Sequence, residues 1–288
     1  MKKTVAAVLN PPAPHMVGDG FRVHNFFPSG YKLKMSPFFM LDYNAKVNFS
    51  ARNEPRGVGV HPHRGFETVT IAYHGAIAHH DSAGNSGVIY PGDVQWMTAA
   101  RGILHKEYHE EHFSKAGGFF QMVQLWVNLP AKDKMSPPKY QGIKNADIAK
   151  YSLPDGAGVV EVIAGEYEGL KGSADTFSPI ETYNVRLNKG GKAAFTFPSS
   201  YNTGFVVIEG LIKVNGNEVA EVNQFVHFNH DGEQIEVEAL EDSIVLVLSG
   251  EPINEPIAQY GPFLMNTPEQ IQEAISDYNQ GKFGYLED

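Results

Sequence analysis

Short hydrophobic runs alternate with polar turns along most of this chain. Examples of the turns are SAGNSG near Gly84, NKGGK near Gly190 and NHDGE near Gly232. Several short strands separated by such turn signals are typical of a β-sandwich or β-barrel. At 215–217 the sequence NGN stands between LIKV and EVAEV, which predicts a β-hairpin. We therefore expect an all-β protein.

One helix is predicted, late in the sequence. Thr267 is its expected N-cap, Pro268 its first residue, and Gln270 the partner of Thr267 in a capping box. Apolar residues then recur at the spacing of one helix face, namely at Ile271, Ala274, Ile275 and Tyr278. Gly281 follows as a helix-ending glycine. We predict a helix over about 267–280 that packs on a sheet.

A polar, proline-containing stretch at 129–148 suggests a domain boundary. The sequence VVEVIAGEY at 159–167 again has the pattern of a β-strand. The 288 residues are enough for two ordinary domains. We predict two β domains, 1–145 and 146–288, with the C-terminal helix appended to the second.

Composition and charge exclude several functional classes. The formal net charge is −10 and no basic run exceeds Lys2–Lys3, so direct nucleic-acid binding is not expected, because phosphate contacts need clustered cations. The absence of cysteine excludes disulfides, thiolate metal sites and cysteine nucleophiles. No apolar run approaches the roughly 20 residues that span a bilayer, and the apolar N-terminal stretch is too short for a secretory signal. We expect a soluble, cytoplasmic protein without membrane contact.

Two pairs of polar residues suggest a metal site. His61 and His63 stand one residue apart, and His105 and Glu107 repeat that spacing later in the chain. Residues i and i+2 of a strand share a face, and Pro62 favours extended backbone at His61. On facing strands of a small barrel, the two pairs would bring together three imidazoles and one carboxylate. That set suits a divalent first-row metal with positions left open for substrate.

The other histidines have simpler interpretations. A lone His-x-His pair is more often coincidence than a metal site, and the strand–turn–strand texture between the two pairs is what favours a joint site. We interpret four further histidines as solvated surface residues: His79, His80, His109 and His112. His227 and His230 are three positions apart and do not share a strand face. We interpret them as structural and expect the second domain to bind no metal.

Four stretches in the two halves of the chain carry a family resemblance. They are HPHRGFETVT, GVIYPGDVQWMTAARGILHKE, QLWVNLPAKDKMSPPKYQ and NEPIAQYGPFLMNTPEQIQEAISDYNQGKFG. Together they resemble the pirin family of the cupin superfamily. The resemblance implies a bicupin, with two cupin-type β-barrel or jelly-roll domains and one mononuclear metal in the N-terminal domain.

The resemblance also implies a ligand set and an ion. The family pattern maps onto His61, His63, His105 and Glu107. Iron(II) is the implied ion, with zinc, manganese, nickel and copper as alternatives. Glu67 stands where many other cupins keep their carboxylate ligand. Spacing does not choose between Glu67 and Glu107, but the family favours Glu107. Glu67 is then a candidate for orienting a ligand histidine.

One stretch departs from the family pattern. After Glu107 the chain reads YHEEHF, where pirin-like sequences more often have a stretch with methionine and proline. The predicted ligands are unaffected, but the sequence does not predict the shape of the pocket rim. It therefore does not predict the substrate either.

The activity implied by the resemblance is cleavage of flavonols such as quercetin by O₂, with loss of carbon monoxide. Glu107 is the expected catalytic acceptor of the flavonol proton. Phe66 and Trp96 either line an apolar pocket for a flat substrate or belong to the barrel core. Two alternatives stay open. One is a redox-sensitive, iron-binding regulatory partner of transcription or metabolic proteins. The other is a non-redox cupin metalloenzyme, such as an isomerase.

Overall fold

A computed structural model describes residues 1–27 and 34–288, and β-strands dominate this part of the chain. The first twelve strands are β1 (Val5–Leu9), β2 (His15–Val17), β3 (Phe21–Asn25), β4 (Phe38–Phe49), β5 (Gly57–His63), β6 (Phe66–His74), β7 (Ile77–Asp81), β8 (Ser86–Ile89), β9 (Val94–Thr98), β10 (Ile103–His109), β11 (Gly118–Asn128) and β12 (Lys139–Ile143). The others are β13 (Ala149–Ser152), β14 (Gly158–Ala164), β15 (Glu166–Tyr167), β16 (Leu170–Lys171), β17 (Ile180–Leu187), β18 (Lys192–Thr196), β19 (Asn202–Glu209), β20 (Leu211–Val214), β21 (Glu218–Glu221), β22 (Phe225–Phe228), β23 (Gln234–Ala239), β24 (Ser243–Gly250), β25 (Ala258–Tyr260) and β26 (Phe263–Met265). The α-helices in the described residues are α1 (Glu111–Ala116) and α2 (Pro268–Asn279). The expectation of a mainly β protein is confirmed.

The described residues form two compact units. The N-terminal unit comprises Ala13–Asn25, Phe38–Asn145 and Ile253–Asp288. Its larger sheet has the order β12-β9-β6-β11-β4-β3-β2, and its smaller sheet the order β5-β10-β7-β8. Apolar side chains from both sheets pack together, among them Ala72 and Met122 of the larger and Ile77 and Ile89 of the smaller. The smaller sheet carries the predicted metal ligands.

The C-terminal unit comprises Met1–Pro12, Ala146–Pro252 and the described residues 26–27 and 34–37. Its sheets have the orders β1-β22-β19-β24-β17-β14-β13 and β18-β23-β20-β21. The side chains between them are apolar, as at Phe195, Phe205 and Val237. The predicted hairpin is present: β20 and β21 pair as antiparallel strands around the turn at 215–217.

The ends of the chain are arranged differently from the sequence prediction. A division between 145 and 146 coincides with a boundary of the compact units, but β1 pairs with β22 in the C-terminal unit. The predicted helix, placed by sequence in the second domain, packs in the N-terminal unit. Its apolar stripe buries Ile271 and Ala274 in a cluster with Phe263 and Phe283, and Leu104 of β10 packs against this cluster.

The C-terminal helix itself forms as predicted. Helix α2 runs from Pro268 to Asn279, and the Thr267 side chain accepts a hydrogen bond from the Gln270 N–H. The Gln270 side chain reciprocates at the backbone of Thr267, which completes the capping box. Gly281 follows with a φ of 74°, a conformation that glycine adopts without strain.

Candidate metal centre

Two neighbouring strands of the smaller sheet carry the predicted ligands. Strands β5 and β10 are paired in antiparallel fashion, with His61 directly opposite His105. The expected arrangement on facing strands is therefore wrong. The two pairs meet as cross-strand neighbours within one hydrogen-bonded ladder, where such side chains lie close together. Alternation along β10 buries every second residue, at Ile103, His105, Glu107 and His109.

A β-bulge in β5 shapes the surroundings of His61. The ladder pairs His105 with His61 but Glu107 with Val58, so β5 has one residue more than β10 in this interval. The Gly59 carbonyl oxygen in the bulge lies 2.8 Å from His61 Nδ1. With the proton on Nδ1 donated to this oxygen, Nε2 of His61 is left with a lone pair for a metal.

The three predicted histidine ligands form one cluster. Their candidate ligand nitrogens lie within 4.8 Å of one another. The ring centroids are 4.2 Å apart for His61 and His105, 4.7 Å for His63 and His105, and 4.9 Å for His61 and His63. His105 is fully buried, yet neither of its ring nitrogens has a hydrogen-bond partner among the described residues. A buried polar group without a partner is costly, and a metal ion bound to the ring would supply one.

The electrostatics of the cluster also fit a metal. Burial lowers the pKa of both His63 and His105 well below the usual histidine range, and the nearby imidazole of His61 lowers each further. These two rings are therefore neutral at physiological pH. Neutral imidazole is the form that binds metals.

Glu107, the fourth predicted ligand, is buried on the same face of β10 as His105. Together with His79 and His105 it forms a second group whose ligand atoms lie within 4.8 Å of one another. Thr70 Oγ1 donates to Glu107 Oε1 at 3.3 Å, and Gln124 Nε2 donates to Oε2 at 2.7 Å. The structure thus brings three predicted ligands into one group and places the fourth, Glu107, in a group that shares His105.

His79 is a member of this site that the sequence interpretation missed. It is fully buried rather than solvated, so its assignment to the surface is wrong. Its Nε2 lies 3.4 Å from Asp81 Oδ2, and Gln95 Nε2 lies 3.3 Å from its Nδ1. Strand β7 places His79 inward and leaves the adjacent His80 partly exposed. Two consecutive histidines on a strand must face opposite sides, and the sequence does not say which one is buried.

His109 is also buried, contrary to the surface interpretation, whereas His112 is exposed as expected. The His109 ring stacks on Phe120 with centroids 4.6 Å apart, and its Nε2 donates to the Gly20 carbonyl at 2.9 Å. Burial lowers the pKa of His109 to about 4. His109 is therefore part of the hydrophobic core of the N-terminal unit, where it packs on Phe120.

Glu67 lies on the opposite face of its strand from the site. Successive side chains of β6 point to opposite faces of the sheet, and Thr70 lies on the face that contacts Glu107. Glu67, three positions earlier, therefore points to the other face. Its Oε1 accepts a hydrogen bond from Thr98 Oγ1 at 2.7 Å. The expectation that Glu67 orients a ligand histidine is therefore wrong. Burial raises the pKa of Glu67 to about 7.

A small cavity of ≈ 30 Å³ opens beside the cluster. Its polar walls are Asp42, His61, Glu107 and Gln124, and its apolar walls are Val17, Phe21, Val23, Val58 and Met122. Neither predicted aromatic residue is part of this wall. Phe66 packs on the His63 ring with centroids 5.0 Å apart. Trp96 follows Gln95 on β9 and points to the opposite face of the strand, away from His79, which Gln95 contacts.

Comparison with known proteins identifies the family. The model of the family Pirin matches residues 20–127, and the model of the pirin C-terminal cupin domain matches residues 182–284. The chain belongs to the pirin family. The bicupin fold expected from the sequence is thereby confirmed, with one cupin domain in each half of this pirin.

Relatives of this pirin extend over nearly its whole length. A protein of Pseudomonas aeruginosa named "Putative quercetin 2,3-dioxygenase" is 49% identical over 270 residues, which is 93% of this chain and 94% of the relative. Human pirin is 35% identical, over 99% of this chain and 94% of its own. The crystal structure of a quercetin 2,3-dioxygenase from Acinetobacter baumannii matches this chain with a TM-score of 0.94. The two sequences are 47% identical, and the match covers all of both chains.

Within residues 1–27 and 34–288 of this pirin, no helix is both long enough and apolar enough to cross a membrane.

Proposed function

We propose that this pirin is a metal-dependent dioxygenase that cleaves flavonols such as quercetin. The observation that carries the proposal is the buried His105, whose ring nitrogens have no hydrogen-bond partner in the described part of the chain and whose ring lies against His61 and His63. The names of relatives that are 47–49% identical support the choice of substrate.

The proposed ligands are His61, His63, His105 and Glu107, and the proposed ion is iron(II). The bound ion would supply Lewis acidity and electron transfer between substrate and O₂. Three neutral imidazoles and one carboxylate would leave a divalent centre with net positive charge, and such a centre would attract the ionised hydroxyl oxygen of a flavonol. His63 and His105 are buried, and these surroundings would limit the access of bulk water to this oxygen.

Glu107 is the proposed proton acceptor. Its carboxylate lines the cavity beside His61, where the hydroxyl of a bound flavonol would lie. Hydrogen bonds from Thr70 and Gln124 fix the orientation of both carboxylate oxygens. A positioned base of this kind contributes a factor of roughly 10²–10⁴ to the rate.

The cavity limits how a flavonol can enter. At ≈ 30 Å³ it is far smaller than the ~300–1,000 Å³ of typical pockets for drug-sized ligands. Only the oxygen-bearing edge of a flavonol fits unless the apolar walls move apart. The same observation favours a second candidate function, that of a metal-dependent regulatory partner of other proteins, in which no large substrate has to enter.

Turnover of quercetin in air distinguishes the two. Iron-loaded protein should consume quercetin, and the same preparation stripped of metal should not. If the fully iron-loaded protein consumes no flavonol, the dioxygenase proposal fails and the regulatory candidate takes its place.

A further inference from the structure

The C-terminal segment provides the hydrogen-bond acceptor behind one proposed ligand. If His63 presents Nε2 to a metal, its Nδ1 carries the proton and needs an acceptor. That acceptor is the Pro262 carbonyl oxygen, 3.4 Å from His63 Nδ1. His61, by contrast, has the Gly59 carbonyl of its own strand. The orientation of the His63 ring therefore depends on a segment that lies about 200 residues further along the chain.

Backbone pairing and hydrogen bonds from a buried lysine hold Pro262 in this position. The N–H of Arg64 donates to the Pro262 carbonyl at 3.4 Å, and the N–H of Leu264 donates to the Arg64 carbonyl at 3.0 Å. The buried Nζ of Lys134 donates to the carbonyls of Gly65 and Leu264 at 2.7 and 2.9 Å. The turn after β5 and the segment before α2 are thus joined directly.

The Arg64 side chain extends this connection to α2. Its guanidinium is 4% exposed, and Nη2 donates to Asp277 Oδ2 at 2.9 Å. Nε donates to the Arg101 carbonyl at 2.7 Å, and the Phe283 ring centroid lies 4.7 Å from Cζ. A buried guanidinium that loses its carboxylate is strongly unfavourable. The ion pair therefore fixes the end of β5 relative to α2.

We propose that Arg64 and Asp277 are positioning residues of the metal centre. Their ion pair keeps the Pro262 carbonyl against His63 Nδ1, so the affinity for a divalent ion depends on the docking of α2. The inference rests on the metal centre proposed above, but it does not depend on the flavonol reaction.

Cobalt(II) binding to the full-length protein tests this inference. Asp277→Asn keeps the volume of the side chain and removes its charge. Loss of a partner that orients a ligating histidine typically lowers metal affinity 10–100-fold, so we expect the Kd for cobalt(II), measured by chelator competition, to rise by that factor. The visible d–d spectrum of the bound cobalt should change as well. Asp277→Glu, which retains a carboxylate, should recover part of the affinity.

A matched control separates positioning from general loss of stability. Glu161→Gln breaks the Glu161–Arg186 ion pair of the C-terminal unit, whose atoms are 3.4 Å apart. Because Glu161 and Arg186 belong to the other compact unit than the proposed ligands, this change should leave cobalt affinity and spectrum unchanged. If Asp277→Asn does not fold, Arg64→Lys replaces it, since lysine keeps a positive charge but cannot make the guanidinium contacts with both Asp277 and the Arg101 carbonyl.

The outcomes are distinct. Parental affinity and spectrum in Asp277→Asn, or in Arg64→Lys where that variant replaces it, would overturn the inference and leave the metal centre standing. Failure of the parent to bind cobalt would contradict both the centre and the inference.

Discussion

Replacing Glu67 by glutamine should stabilise the fold above neutral pH and have little effect in mild acid. Glu67 is 1% exposed, and burial raises its pKa from 4.5 to about 7. Between these two values the folded protein binds this proton and the unfolded chain releases it. The free energy of unfolding therefore falls as pH rises from 4.5 to 7. Glutamine is neutral throughout, so the variant does not lose this stability.

The size of the effect follows from the shift in pKa. A change from 4.5 to about 7, at 1.36 kcal/mol per pKa unit, corresponds to ~3 kcal/mol at pH 8. Thr98 Oγ1, which now donates to the carboxyl, can donate equally to the glutamine amide oxygen. The variant therefore keeps the observed hydrogen bond and removes only the charge.

Urea unfolding at pH 5, 6, 7 and 8 measures this difference. Trp96 and Trp126, the two tryptophans of the chain, both lie in the N-terminal unit, so their fluorescence reports on the unit that contains Glu67. The measurements should use metal-free protein, so that loss of an ion at low pH does not contribute. Glu273→Gln changes an exposed carboxylate of α2 and serves as the control. An equal difference between Glu67→Gln and the parent at pH 5 and pH 8 would refute the reasoning.

Three further changes have defined outcomes. His105→Ala should reduce metal content from one ion per chain to a small fraction, measured by elemental analysis, because it removes the ring shared by both groups; full retention would contradict the ligand assignment. Glu107→Gln, compared with the parent at equal metal occupancy, should lower flavonol turnover by roughly 10²–10⁴-fold, and an unchanged rate would remove Glu107 from the mechanism. The His109 pKa of about 4, against 6.5 unfolded, contributes stability above pH 6.5 that is lost as pH falls towards 4. His109→Leu should therefore flatten the acid side of the stability profile of metal-free protein, and an unaltered acid slope would assign it to other groups.

The sequence predicted the parts of the site that depend on alternation within a strand. His-x-His on β5 and His-x-Glu on β10 each share a face because side chains repeat every two residues. The same rule could not decide between His79 and His80. It says that they point to opposite faces of β7, but not which face is buried. Only the packing of His79 against Gln95 and Asp81 settles which ring is inside.

Local sequence patterns could not predict where the two ends of the chain pack. The capping box and apolar stripe of α2 specify a helix with one buried face, but they do not specify the surface that covers it. The covering residues include Leu104 and Phe263, and the ion pair of Asp277 with Arg64 spans 213 positions of sequence. Contacts of this length depend on the tertiary fold and leave no periodic signal.

Carbon monoxide release is the most direct measurement of whether this centre cleaves flavonols. Iron-loaded protein would be mixed with quercetin without oxygen and then exposed to air, and gas and remaining quercetin would be quantified together. The metal-free protein and His105→Ala would be treated in the same way. We expect carbon monoxide in equal amount to the quercetin consumed, from the loaded parent alone. Quercetin loss without carbon monoxide, or equal release from His105→Ala, would contradict flavonol cleavage at the proposed centre.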